Sequence, residues 1–196
     1  MKFDDQTVED VGSFSKALKV AEDVSVVWYR GHRDIGWKLE PTIARSAAQA
    51  DAEQMSIKRF KQNALPFIRE RPQSEWEWMF LMQHHRAPTR LLDWSESALV
   101  SLHFALEAEP EGVAETDAVI WCLSPVDLNA NAGHKRKYDK DVLAFGVDTQ
   151  PDNYLPDRIG TESELDPIAA IGPRNSARMV AQAAVSYTHL TLPTKA

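Results

Sequence analysis

The sequence has little of several features that mark particular classes of protein. Its single cysteine, Cys122, excludes an internal disulfide framework and a cysteine-rich zinc site. It contains no run of about 18 apolar residues, so we expect no membrane-spanning helix and no membrane partner. Its acidic start, MKFDDQTVED, lacks the apolar region of a secretory signal. These absences predict a cytoplasmic protein.

Positive charge is also scarce. The chain has 22 Lys and Arg against 29 Asp and Glu, a formal net charge of −7, which excludes a generally basic nucleic-acid coat. A local basic patch remains compatible with phosphate binding. We interpret the basic run at residues 134–138 as a solvated loop rather than a phosphate contact, because Asp139 and Asp141 flank it.

Several catalytic motifs are missing. The sequence has no GxGxxG, P-loop, HExxH or GxSxG pattern. His84 and His85 are adjacent and would project about 100° apart on a helix, so we predict no metal site. A hydrolase with His84 or His85 as the base would require a nucleophile within hydrogen-bonding reach, and it ranks last among the functional hypotheses.

The pattern of apolar residues predicts an α+β protein. Helical spacing covers residues 7–20, 50–68, 73–85 and 96–107, and strand composition marks 25–29 and 117–123. Ala98, Ser101 and Ala105 form a small-residue face suited to packing on a sheet, and we expect His103 to lie in the core. Asp93 or Ser95 is expected to cap the helix that follows. No regular βαβ alternation occurs, so we predict a single domain with a small mixed or antiparallel sheet packed with several helices.

The last twelve residues, 185–196, resemble the translation of a transposon-end sequencing adapter. We therefore expect three segments: an N-terminal helix at 1–22, the main domain at 23–184 and a non-native tail at 185–196. On this interpretation the domain is truncated at its C-terminal end. The alternative is a true β-strand, since Val185, Tyr187 and Leu190 favour strands.

Arg30 and Gly31 are the first candidate site residues. An arginine at the end of the predicted strand offers a fixed fork of donors for phosphate or carboxylate, and the neighbouring glycine lets a ligand approach. The structural alternative is an ion pair of Arg30 with Asp93 or Asp34.

The second candidate is the polar segment, residues 83–94, with the sequence QHHRAPTRLLDW. Such polar density beside apolar residues is costly to bury unless each group is paired. One interpretation is a ligand-facing wall. The other is a hydrogen-bonded corner between two helices, with an Arg90–Asp93 salt bridge and with Thr89 and Asp93 as caps.

At these residues the sequence resembles the FRG domain family, whose aromatic-Arg-Gly motif occurs here as Tyr29-Arg30-Gly31. The resemblance also covers residues 37–45, the block from Gln83 to Leu106, and residues 173–182, so it spans most of 26–184. Arg86 departs from the family, which usually has a small residue there, and Tyr is also common at the position of His85.

The resemblance implies a layout similar to ADP-ribosyltransferase-like folds. It implies NAD as substrate, Arg30 and Ser95 as catalytic residues, and transfer of ADP-ribose to nucleic acid or protein in a toxin or phage-defence role. The ligand-binding residues it implies are Gly31, His32, Gln83, His84, Thr89, Arg90, Asp93, Arg178 and Gln182. The late glutamate of such folds is not visible. The alternative function is a non-catalytic nucleotide-binding or interaction module.

All of these assignments share one spatial expectation. Two stretches more than fifty positions apart, around Arg30 and around residues 83–95, are predicted to form one anion-binding pocket with Arg30 and Ser95 facing the same cleft.

Overall fold

The computed structural model describes residues 4–19, 24, 26–107, 116–134, 141–158 and 165–172, together with the backbone of 184–188. The helices are α1 (Val11–Lys19), α2 (Ala47–Asp51), α3 (Glu53–Ala64), α4 (Glu75–His84), α5 (Ala98–Ala105) and α6 (Pro125–Asn131). The strands are β1 (Trp28–His32), β2 (Leu91–Ser95), β3 (Val119–Leu123), β4 (Leu143–Ala144), β5 (Ile168–Ile171) and β6 (Ala184–Thr188). Short 3-10 helices occupy Thr42–Arg45 and Gln150–Tyr154. The predicted α+β class with a small sheet and several helices is confirmed.

None of the helices in these ranges combines the length and the apolar character that crossing a bilayer requires. The chain divides into two compact units built from interleaved segments. The first unit comprises Met1–Lys38, Asp93–Val142 and Arg174–Val185. The second unit comprises Leu39–Leu92, Leu143–Pro173 and Ser186–Ala196.

The first unit is organised around β1. This strand pairs antiparallel with β3 from Trp28↔Leu123 to His32↔Val119, and with β2 at Tyr29↔Ser95. The strand predicted at 25–29 is therefore displaced toward the C-terminus. Arg30 lies in the middle of β1 rather than at its end, because pairing with the apolar β3 continues through His32.

Helix α5 covers one face of this sheet with its small residues, as predicted: Ser101 and Ala105 are buried. Ser97 caps α5 by accepting a hydrogen bond from the Val100 N–H. The predicted caps were wrong, because Asp93 and Ser95 belong to β2. The prediction for His103 was also wrong, since its side chain is exposed.

The second unit packs α4 against the segments that follow β4. Ser74 caps α4 by accepting from the Glu77 N–H at 3.2 Å, and five of its ten residues are buried. The Trp76 ring lies 4.4 Å from that of Phe145, and its indole N–H donates to Asp152 at 3.0 Å. The helix predicted over 73–85 is therefore confirmed as α4 with slightly shorter bounds.

Strand β5 carries the most deeply buried sequence of the second unit. Ile168, Ala169 and Ala170 have no exposed surface. The strand pairs parallel with β4 and antiparallel with β6, where Ala169 lies opposite Tyr187. Residues 184–188 thus have strand geometry, and the expectation that 185–196 is a non-native tail stays a prediction.

We expect Tyr154 to make the protein less stable at alkaline pH. Its hydroxyl donates to the Asp166 carbonyl at 2.6 Å, and burial, aided by the nearby Asp166 charge, raises its pKa to about 12. An unfolded tyrosine ionises near pH 10, so the folded state holds its proton more tightly than the unfolded state. Below about pH 10 the Tyr154 proton makes its full contribution to the free energy of unfolding. Between about pH 10 and 12 this contribution falls by roughly 1.4 kcal/mol per pH unit.

Urea unfolding across that range checks this expectation, with Tyr154→Phe as the control. The difference in free energy of unfolding between the two proteins should narrow as the pH rises from 10 to 12. A constant difference would contradict the assignment.

Candidate functional site

Arg30 is held in the middle of the first unit's sheet. Its Nε donates to Nε2 of His32 at 2.9 Å, and its Nη1 donates to the backbone carbonyl of Asp93 on the neighbouring strand. The guanidinium is thus fixed by two partners and remains half-buried. The contact with Asp93 is made through its backbone carbonyl, and the ion pair of Arg30 with the carboxylate of Asp93 or Asp34 stays a prediction.

His32 links Arg30 to two tryptophans. It is 5% exposed, and its ring lies 6.0 Å from the Trp37 ring and 6.5 Å from the Trp121 ring. Because Nε2 accepts a hydrogen bond from Arg30, that nitrogen carries no proton in this arrangement. His32 therefore orients the guanidinium from a packed, aromatic environment.

Gly31 has a packing role rather than the predicted ligand-facing one. A Cβ added to Gly31 would lie 1.9 Å from the Ser101 carbonyl oxygen and 2.8 Å from the Ala105 nitrogen. The missing side chain is needed for the backbone of α5 to approach β1. The interpretation that Gly31 leaves room for a ligand was wrong, because α5 occupies that space.

Ser95 lies on a different face of the sheet from Arg30. Residues directly opposite each other in an antiparallel pair share a face, and Ser95 lies opposite Tyr29. Successive residues of β1 alternate between faces, so Arg30 is on the other side, opposite Trp121. Ser95 is 6% exposed and its hydroxyl accepts from the Ser97 N–H at 3.0 Å. The register therefore opposes the expectation that both side chains face one cleft.

Tyr29, which lies opposite Ser95, and Cys122, which lies opposite Tyr29 on β3, stay protonated near neutral pH. Burial, reinforced by the proximity of Cys122, raises the pKa of Tyr29, and burial raises the pKa of the Cys122 thiol. A protonated thiol is a poor nucleophile. Helix α5 packs on this same face of the sheet, at Gly31.

The polar segment forms a hydrogen-bonded corner within the second unit. The Thr89 hydroxyl donates to Oε1 of Gln83, and Nε2 of Gln83 donates to the Leu91 carbonyl. Thr89 is 2% exposed. These contacts fit the hydrogen-bonded corner, and a ligand-facing role for the same segment stays a prediction.

Arg90 is the centre of this corner, but its partner is not Asp93. Its Nε donates to Oε1 of Glu53 at 2.7 Å, its Nη2 donates to Oε2 of Glu53, and its Nη1 donates to the Tyr154 carbonyl at 2.8 Å. Arg90 and Glu53 are 4% and 8% exposed. The proposed Arg90–Asp93 salt bridge was wrong, and the ligand-binding role for Arg90 is replaced by a structural one.

The remaining residues singled out from the sequence lie at different places in the structure. His84 ends α4 with its side chain exposed, and its ring lies 5.1 Å from that of His85. Arg86 has φ 60°, a left-handed conformation that glycine and asparagine adopt more readily than arginine. Arg178 and Gln182 lie outside the described residues. Across the described ranges, no three His, Cys, Asp or Glu side chains converge in a way that could hold a metal ion.

Two residues important to these arrangements were missed from the sequence. Glu53 gives no sequence signal, because it pairs with a residue 37 positions away. Trp37 lies in a segment that resembles the FRG domain family, but its proximity to Arg30 depends on the turn that follows β1.

The family comparison supports the motifs between residues 25 and 112, and the resemblance at 173–182 stays a prediction. The sequence model of the FRG domain matches residues 25–112, which include β1, the polar segment and α5. The chain carries an FRG domain over those residues. No curated protein and no solved structure matches the chain.

Proposed function

We propose that the FRG domain of this chain binds NAD through Arg30 and transfers its ADP-ribose to a nucleic acid or a protein, as a toxin or a phage-defence effector. The observation that supports the proposal is the guanidinium in the centre of β1, oriented by His32 and the Asp93 carbonyl. A preoriented planar fork suits the pyrophosphate of a dinucleotide better than a flexible ammonium does.

The chemistry requires a held phosphate. In ADP-ribosyl transfer the bond between ribose C1′ and the nicotinamide nitrogen breaks through an oxocarbenium-like state, as in glycoside hydrolysis. A nucleophile of the acceptor forms the new bond to C1′, nicotinamide leaves as a neutral molecule and the acceptor's proton passes to solvent. Arg30 would fix the pyrophosphate so that C1′ stays in position for attack.

The second candidate is a module that binds a nucleotide without turning it over. The register of β1 and β2 favours it, because Ser95 lies on the opposite face from Arg30 and cannot share its cleft. That the stretch around Arg30 and the polar segment form one pocket stays a prediction, as does the role of Gln83 and His84 in it.

Titration of the protein with NAD, combined with an assay for released nicotinamide, tests both functions. We expect Arg30→Ala to weaken NAD binding by roughly ten- to a hundredfold, because a charge-assisted hydrogen bond contributes about 1.5–3 kcal/mol. Arg30→Lys keeps the charge but loses the fork, and we expect it to recover little of the affinity.

The control is Arg59→Ala, which removes an exposed arginine from α3 and should leave NAD binding unchanged. Thermal melting of each variant shows that it is folded. Binding with nicotinamide release supports transfer, and binding of intact NAD supports the second candidate. Wild-type protein that fails to bind NAD refutes the transfer function, and an Arg30→Ala variant that binds NAD equally well refutes the assignment of Arg30 in both functions.

A further inference from the structure

The most exposed aromatic side chain near Arg30 is Trp37. Trp37 is 46% exposed, whereas Trp28 on β1 is fully buried. A large exposed aromatic beside a positively charged group is the arrangement on which proteins stack nucleobases.

A rigid turn holds Trp37 in place. The Trp37 N–H donates to the Asp34 carbonyl at 3.1 Å, and the Gly36 N–H donates to Oδ1 of Asp34 at 2.7 Å. The Ile35 N–H donates to the Asp117 carbonyl at 2.8 Å, which fixes the turn to the segment leading into β3. The backbone that carries Trp37 is therefore held in place by hydrogen bonds, which lowers the entropic cost of binding a ligand there.

The charges around the indole match a phosphate-bearing ligand. The Arg33 guanidinium carbon lies 5.5 Å from the Trp37 ring centroid, within the range of a cation–π contact. His32 lies against the ring on one side and accepts the hydrogen bond of Arg30 on the other. One buried side chain thus separates the exposed indole from the guanidinium. The nearby Asp34 carboxylate is engaged by the Gly36 N–H.

We infer that Trp37 is the platform on which the base of the bound nucleotide stacks while Arg30 holds its phosphate. This inference rests on the proposed nucleotide binding at Arg30. It adds that Trp37 binds the base of that nucleotide. Base stacking on an aromatic ring is tolerant of base identity, so affinity should depend on the presence of a base more than on which base it is.

Two ligands that differ only in the base test the inference: AMP and ribose 5-phosphate, titrated against the same protein. For the wild type we expect AMP to bind roughly tenfold more tightly, the size of a typical base–aromatic stack. Trp37→Ala should reduce this ratio to about one while leaving the affinity for ribose 5-phosphate nearly unchanged. Trp37→Phe, which retains a smaller ring, should restore part of the ratio.

Ile35→Ala is the matched control, because Ile35 is 59% exposed in the same turn and offers no ring for stacking. It should preserve the wild-type ratio. If the wild type binds both ligands equally, the stacking platform is refuted while the phosphate site stands. If it binds neither, the proposed function itself fails. If Trp37→Ala weakens the binding of a single-stranded oligonucleotide but leaves the ratio of AMP to ribose 5-phosphate affinity unchanged, Trp37 binds the acceptor instead. This inference is then wrong.

Discussion

Arg90→Ala is expected to lower the free energy of unfolding by about 3–5 kcal/mol, the usual cost of removing one member of a buried ion pair. The substitution leaves the Glu53 carboxylate enclosed without its bidentate partner, and it removes the donor to the Tyr154 carbonyl. The loss is large because water cannot replace the missing hydrogen bonds at this buried position. The side chains of Arg90 and Glu53 are 5% and 10% exposed. Urea unfolding gives the value directly.

A more exposed ion pair, Lys61–Glu75, serves as the comparison. Lys61 lies 2.5 Å from Glu75, but these side chains are 27% and 47% exposed, so we expect Lys61→Ala to cost at most about 1 kcal/mol. The double replacement Glu53→Leu with Arg90→Met should be less destabilising than Arg90→Ala, since it removes both charges and retains volume. An Arg90→Ala effect as small as that of Lys61→Ala would show that the pair is not structural.

Gly31→Ala should destabilise the protein by more than the roughly 1–3 kcal/mol of ordinary overpacking. The added methyl group would lie 1.9 Å from a carbonyl oxygen of α5, and main-chain atoms of a packed helix cannot rotate aside as a side chain can. Either α5 moves away from β1 or the strand distorts beside Arg30. Thermal melting measures the loss, and the midpoint should fall by many degrees.

Gly12→Ala provides the contrast within the first unit. Its added Cβ would meet the end of the Asp10 side chain at 3.3 Å, and alanine favours the helix that Gly12 occupies. We expect this change to be neutral or slightly stabilising. If Gly31→Ala behaves like Gly12→Ala, the close approach of α5 to β1 is not present in solution.

Much of the local structure could be predicted from the sequence. The helix α4 follows from helical spacing of apolar residues, and β3 follows from a short β-branched and aromatic run. The small-residue face of α5 predicted a helix packed closely on a sheet, which the contacts of Ser101 and Ala105 with Gly31 confirm. Each of these signals is contained in about a dozen neighbouring residues.

The candidate site was only partly predictable. The motif containing Arg30 was visible in the sequence, whereas its hydrogen bond to the Asp93 backbone carbonyl was not predicted. The location of Arg30 within β1 required the pairing with β3, and the face of Ser95 required the pairing with β2. A strand reverses the face of every side chain when its register shifts by one residue, so composition alone does not decide which polar groups meet.

The sequence by itself determined the mixed class of the protein, the approximate location of its main helices and the two segments that carry its polar chemistry, because these depend on short-range periodicity and residue type. Only the tertiary structure decided that Arg90 is committed to Glu53, that Gly31 admits a helix rather than a ligand, and that Arg30 stands beside His32 and close to an exposed indole. These outcomes depend on strand register and on interactions between residues that are distant in the chain. A pattern of neighbouring residues does not determine the free energies of such interactions.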